Sequence, residues 1–538
     1  MTTISNDELA ERIESIQAEI EPLIVAASKA SWQLNVTGGE HWQDESARLD
    51  TELRTVLSRP EPYAFLRAAA EAEDVDPLLR RQAVLLRNDH APNQLSPETI
   101  ERIVKLEKVV EGLFNTFRAD LDGERVGENR IREVLETSDD LALRERAWEA
   151  SKQIGVEVAP RLLELVVARN DAARELGHAN YYSMSLELDE LDEDEVFEML
   201  EAILLGSQAP YERSKGRLDL GLAERFGIAV EELRPWHYSD PFFQDASAMS
   251  LDLDHWFAGR SLEEVAIEYF DAAGFDVRPI LARSDLYERD NKSQHAFCTD
   301  IDRKGDVRIL CNLTPTEYWF ATLLHELGHG VYDDGIDPAL PYFLRTAAHL
   351  ITTEASAMLF GRLSRSGAWL ARYAGMPAAE AAMAENGLTR VRVAQHIHLA
   401  RWVPVMAYFE RALYRDPTQD LNRLWWDLVE RFQLVTRPED RDSVTDDHAD
   451  WAAKIHFSVA PAYYQNYLLG EIVASQLQAH LLETTGSWER YVESPEVARF
   501  LNERLYSIGR STDWRGAIEH ATGRPLDVGP FLVELAGA

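Results

Sequence analysis

Cysteine is nearly missing from this chain: two residues in 538, too few for a disulfide scaffold and the expected usage of a reducing cytoplasm. Long apolar runs are missing too. No stretch of about 18 apolar residues occurs, so no helical membrane span is expected. The opening residues, MTTISNDELAERIESIQAEI, are polar and acidic, without the basic start and apolar stretch of a secretory signal. A basic excess is equally absent, with 55 Lys and Arg against 93 Asp and Glu and a net charge of −38. Such a surface repels nucleic acid and anionic membranes, so neither is an expected partner, and no obligatory protein partner is evident. Low-complexity tracts and internal repeats are lacking. What remains is a cytoplasmic globular chain long enough for a large core; length alone allows about three to four domains, a soft bound for helical enzymes.

Helical periodicity is what the sequence has most of. Apolar residues at three-to-four spacing predict helices over 8–34, 46–58, 97–118, 129–136 and 141–177, then over about 315–332, 343–365, 378–415, 420–433, 447–482 and 494–506. One stretch breaks the pattern. In QHAFCTDIDRKGDVRILCNL (294–313), Val307, Ile309 and Cys311 alternate with other residue types, and Lys304-Gly305 suits a two-residue turn. A hairpin with that turn sets Cys298 opposite Cys311, both expected as free thiols. The fold class is therefore mainly α, with one small β-sheet beside a motif helix.

That helix carries LLHELGHGVY, Leu323 to Tyr332. Thr314 is the expected cap, with Pro315 in the first helical position and Glu317 closing a capping box, so the histidines fall well inside the helix. Residues four apart share a helix face, and His325 and His329 can point two imidazoles at one metal ion. Glu326 is offset by about 100°, flanking the ion without binding it, as a base acting on a zinc-activated water must. A third ligand is needed. Glu354, 25 residues after His329, is the lone carboxylate of an amphipathic stretch and is flanked by small residues. Two His, one Glu and an open fourth position make a catalytic zinc set, one Zn2+ per chain. His349 is the lesser alternative.

His325-Glu326-Leu-Gly-His329 with Glu354 resembles the gluzincin metallopeptidases, and among them the angiotensin-converting-enzyme-like peptidyl-dipeptidases and the related thimet-oligopeptidase-like enzymes. Further blocks are similar. QHAFCTDIDRKGDVRILCN looks like the family's strand ahead of the zinc helix, which implies that His295 and Ala296 contact the substrate backbone. AAKIHF (452–457) resembles the Ala-Lys-x-His block, implying that Lys454 binds a substrate's C-terminal carboxylate and that His456 contacts the substrate. YYQNYL (463–468) resembles the paired tyrosines, implying Tyr464 at the substrate end and Tyr467 on the oxyanion. The resemblance implies a helical ellipsoid with a deep central cleft, N-terminal helices as a lid, and one zinc metallopeptidase domain over 1–538 with its zinc-site core at about 290–480. The implied reaction is zinc-dependent hydrolysis of short peptides, releasing dipeptides from a free C-terminus. The alternatives are an endo-acting oligopeptidase of the same architecture, and a zinc-binding or biosynthetic hydrolase without ordinary peptidase activity. Departures stand beside the likeness. Gln294 replaces a cysteine, Gln465 and Asn466 lie where relatives carry a chloride-linked Arg, and Met358 takes the place of an Asp one turn after the Glu ligand. The Gln that assists the carboxylate-binding Lys should fall near Trp236–Gln244.

Overall fold

A computed structural model describes residues 4–244, 252–442 and 448–537. Among them the regular structure is helical apart from two antiparallel pairs of strands: β1 (Ala119–Leu121) with β2 (Glu124–Val126), and β3 (Phe297–Asp300) with β4 (Val307–Leu310). The second pair is the expected sheet; the first was not anticipated. No helix among the described residues is long and apolar enough to cross a membrane.

The chain forms two compact units. One comprises Met1–Gln94, Leu251–Thr389 and Leu469–Phe531; the other comprises Leu95–Ser250, Arg390–Leu468 and Leu532–Ala538.

In the first unit the leading helix spans Asn6–Thr37, capped by the Ser5 hydroxyl and stopped at Gly38 in the left-handed region. Its buried Leu9, Ile13 and Ile20 pack with Leu66, Leu86 and Tyr342. The motif helix spans Glu317–Asp334 and buries Phe320, Leu323, Leu324 and Leu327 completely. A Cβ on Gly328 would stand 2.6 Å from the Ala357 Cα and 2.9 Å from the Ser356 carbonyl oxygen. Glycine there lets the helix Leu350–Gly361 cross the motif helix at backbone distance, and the Ser356 hydroxyl fastens the crossing by donating to the Gly328 carbonyl (2.8 Å).

Four sequence expectations need correction here. The motif helix is capped by Thr316, whose hydroxyl accepts from Trp319 N (3.3 Å), rather than by Thr314. Glu317 closes no capping box; its carboxylate takes Arg365 (2.9 Å) and Ser364 (2.7 Å) instead. The helix expected over 343–365 is shorter, because Arg345 turns to donate to the Leu340 carbonyl (2.6 Å) and His349 caps the helix Leu350–Gly361 with its ring, Nδ1 accepting from Ile351 N (3.0 Å). The hairpin turn is longer than two residues: Cys298 pairs with Ile309, not Cys311. Two aspartates build the wider loop, Asp300 accepting from Asp302 N and Arg303 N, and Asp302 from Lys304 N and Asp306 N. Both cysteines are free.

The second unit is organised on the helix Leu141–Glu175, with Trp148, Trp402 and Trp451 fully buried around it. Gln153 of that helix grips β1 in both directions, accepting from Asp120 N (2.8 Å) and donating to its carbonyl (2.9 Å). The buried Arg169 donates to the carbonyls of Phe457 (3.3 Å) and Ser458 (2.7 Å). The helix expected over 447–482 is broken: residue 447 lies outside the described residues, and the regular helix is Gln465–Thr485. Ala462, with φ 56°, interrupts the run, and its N–H is bound by the buried Glu410 carboxylate (2.9 Å).

Candidate active site

In the first unit, His325, His329 and Glu354 each offer one ligand atom, and the three atoms lie within 4.8 Å of one another. His325 Nε2 is 3.7 Å from Glu354 Oε2, and the two imidazole centroids are 5.0 Å apart. The surrounding protein disfavours charge on both rings. Desolvation drives His325 down to about 4, and desolvation with His325 nearby drives His329 down to about 3, so both imidazoles are neutral near pH 7, the form that ligates a metal. Desolvation and the neighbouring Glu471 push Glu354 up to about 7. Such a carboxyl beside two neutral imidazoles lacks a counter-charge that a dication supplies. His325 keeps 31% of its side chain exposed and Glu354 13%, leaving one side open as a catalytic zinc requires. The residues present therefore fit the metal. His349, occupied as a helix cap, is not among them.

Neighbouring groups shape this cluster. His329 Nδ1 is 2.7 Å from the Thr353 hydroxyl, which leaves Nε2 as its ligand atom. Met358 lies against Gly470: a Cβ on that glycine would approach Glu354 Cβ to 3.1 Å and Met358 Sδ to 3.3 Å. Glu471, the next residue, is ion-paired to Arg362. Glu326 is buried, and desolvation with the nearby Glu354 raises it to about 8, while the Cys298 N–H of β3 donates to its carboxylate. His295 and Ala296 lie directly ahead of β3, His295 exposed.

The remaining expected residues fall in the second unit. Lys454 is buried, and its Nζ donates to Gln244 Oε1 (2.6 Å). Gln244 ends the window in which an assisting Gln was expected. The ammonium sits over the rings of Phe242 (4.9 Å) and Trp402 (5.2 Å), and no carboxylate of the described residues lies within 4 Å of it. Burial lowers Lys454 to about 8, with Asp240 the leading opposing charge. Tyr464 accepts from Trp402 Nε1 (2.7 Å), and burial pushes its phenol up to about 12. The His456 ring meets Tyr464 edge-on at 5.0 Å, and burial followed by the Lys454 charge lowers it to about 4. Tyr467 packs against Tyr464 at 5.3 Å. Gln244, Lys454, His456 and Tyr464 line a cavity of about 680 Å³ together with Phe117 and Ile131.

Sequence reasoning missed Thr353, Glu471, Trp402 and Asp240. Asp240 carried a signal, since Ser-Asp-Pro is a turn signature. Thr353 had one only in standing next to Glu354.

Residues 280–536 match the model of Peptidase family M3, and His325, Glu326, His329 and Glu354 all lie inside the match. The chain is 24% identical over 264 residues to Carboxypeptidase 1 of Bacillus subtilis (strain 168), an alignment covering 44% of this chain and 51% of that relative. The chain thus spans about half the length of the curated relative it matches. The likeness to Peptidase family M3 covers just under half of the chain, residues 280–536, and takes in the whole His325, His329 and Glu354 cluster.

Proposed function

We propose that this M3-related gluzincin hydrolyses short peptides in the cytoplasm and reads a free C-terminus through Lys454, releasing a dipeptide. The observation that carries the reading is the Lys454 ammonium, which is buried on an amide oxygen and two aromatic faces and has no carboxylate within 4 Å among the described residues. A buried cation left in that state is costly, and a substrate carboxylate would satisfy it.

Zinc, held by His325, His329 and Glu354, would supply Lewis-acid polarisation of the water nucleophile and of the scissile carbonyl. Glu326 takes the proton from that water and returns it to the leaving amine. Its burial raises its basicity toward neutral pH, where a general base is most effective. Tyr467 and His456 donate hydrogen bonds as charge develops on the carbonyl oxygen, each such donor being worth about 3–4 kcal/mol. His295 and Ala296 bind the substrate backbone, and Tyr464 assists Lys454.

A product map of a mixed peptide library, with each peptide as free acid and as C-terminal amide, tests this reading. Dipeptides released from the acids, with the amides cleaved poorly, support it. Equal internal cleavage of both forms replaces it with an endo-acting oligopeptidase. Zinc-loaded protein that cleaves no member of the library leaves a hydrolase of other substrates.

A further inference from the structure

Gln244 can present either end of its amide to Lys454, and only the oxygen end accepts from an ammonium. The structure contains a device that chooses the end. The Asp240 Oδ2 accepts from Gln244 Nε2 (3.1 Å), while Gln244 Oε1 accepts from Lys454 Nζ (2.6 Å). An ionised carboxylate only accepts, so it claims the NH2 and turns the oxygen toward Lys454. Asp240 is itself held. It is 5% exposed, and its Oδ1 accepts from the backbone N–H groups of Phe242 (2.8 Å) and Gln244 (3.3 Å). The Pro241 carbonyl, next in the loop, receives Lys152 Nζ (2.9 Å) and Trp148 Nε1 (3.0 Å) from the helix Leu141–Glu175. The loop 240–244 is thus anchored to a rigid element.

We propose that Asp240 is a positioning residue for C-terminal recognition: it locks the Gln244 amide with its oxygen toward Lys454 and so orients the ammonium for a substrate carboxylate. This rests on the reading of Lys454 given above. The Asp240 charge has a second effect through the field at Lys454. Burial lowers that lysine, Asp240 and then Glu128 oppose the fall, and Arg132 adds to it. Lys152 and Tyr464 also sense Asp240, and His456 and Lys152 sense the Lys454 charge.

Asparagine at 240 cannot reproduce the arrangement. Its one oxygen serves either the backbone N–H groups or the Gln244 NH2, and its own NH2 meets a donor at the other. The Gln244 amide then turns over and sets a donor against Lys454.

The test measures kcat and KM from pH 6 to 9 on one peptide as free acid and as amide, for the zinc-loaded wild type, Asp240→Asn, Asp240→Glu, Gln244→Leu and the Asp240→Asn/Gln244→Leu pair. Asp240→Asn should raise KM for the acid about tenfold with a change in kcat of less than about twofold, and should move the alkaline loss of acid binding to lower pH. Asp240→Glu should recover part of the KM. In the Gln244→Leu background, Asp240→Asn should add little to KM below the alkaline limit, since the amide route to Lys454 is already cut and only the shift of that limit through the field remains. A wild type that cleaves acid and amide alike overturns the reading of Lys454. A wild type that prefers the acid, with Asp240→Asn leaving KM and the pH limit unchanged, overturns the role of Asp240 alone. Should Asp240→Asn fail to fold, Asp240→Glu decides: it keeps the charge but displaces the carboxylate, and an unaltered acid-to-amide preference there overturns the proposal.

Discussion

Thr353 Oγ1 stands 2.7 Å from His329 Nδ1, so the residue before one expected metal ligand orients another. The contact spans two helices and fixes which nitrogen of His329 faces the cluster. Outer hydrogen bonds of this kind typically carry about 10- to 100-fold in metal affinity. Replacing Thr353 by Val keeps the volume and the branched β-carbon and removes the hydroxyl. Zinc affinity, read by competition with a chromophoric chelator, should fall by about tenfold or more, with the thermal midpoint of the metal-free protein moving little.

The closeness of the two helices makes a separate prediction. Alanine is normally favoured over glycine inside a helix by about 1 kcal/mol. At Gly328 the added Cβ would meet the Ala357 Cα at 2.6 Å, and backbone cannot step aside cheaply. Gly328→Ala should therefore destabilise by about 1–3 kcal/mol and weaken zinc binding by prising Glu354 from the histidines. At Gly330, on the same helix, the nearest atom to such a Cβ is the Ile280 side-chain terminus at 3.2 Å, which can rotate. Gly330→Ala should be near neutral. Melting curves of the two variants, with and without zinc, separate them; equal melting points would refute the close-approach argument.

The metal cluster was legible because its chemistry is periodic: His325 and His329 share a face by helical spacing, and Glu354 was the one acid in an otherwise small and apolar stretch. Most helix spans were legible for the same reason. The hairpin register was not, since Asp300 and Asp302 bind four backbone N–H groups and widen a loop that Lys304-Gly305 alone would have closed tightly. Nor was the break after Arg345, where the guanidinium turns back to the Leu340 carbonyl five residues earlier. Gln244 and Asp240 depend on a loop some 210 residues from Lys454, a pairing that no local pattern encodes.

Glu326 offers a direct test of the proton-transfer role. Its carboxylate is buried and receives the Cys298 N–H. Glu326→Gln keeps the size and removes the basicity. General-base catalysis is worth about 10²–10⁴, so kcat on a susceptible peptide should fall by about 10³ while zinc content stays stoichiometric by atomic absorption. Full activity in this variant would reject the mechanism; loss of the metal along with activity would instead make Glu326 part of the metal's support.

Lys454 makes the pH dependence of substrate binding predictable in sign. A free lysine titrates near 10.4, but burial brings Lys454 down to about 8. The carboxylate-binding form is the protonated one. It is fully present at pH 6–7 and is lost as pH rises through about 8, well before an exposed lysine would titrate. KM for free-acid peptides should then be flat below pH 7 and rise toward tenfold per unit above about 8, whereas KM for the amides, which offer no carboxylate, should not follow. Lys454→Arg places a cation that stays protonated in the same site, so any acid binding it retains should lose the alkaline rise. Steady-state kinetics on matched acid and amide peptides from pH 6 to 9.5 measure both. A KM for acids that stays constant to pH 9.5 in the wild type would mean either that Lys454 remains charged or that it does not hold the C-terminus, and Lys454→Met separates these by raising that KM only in the first case.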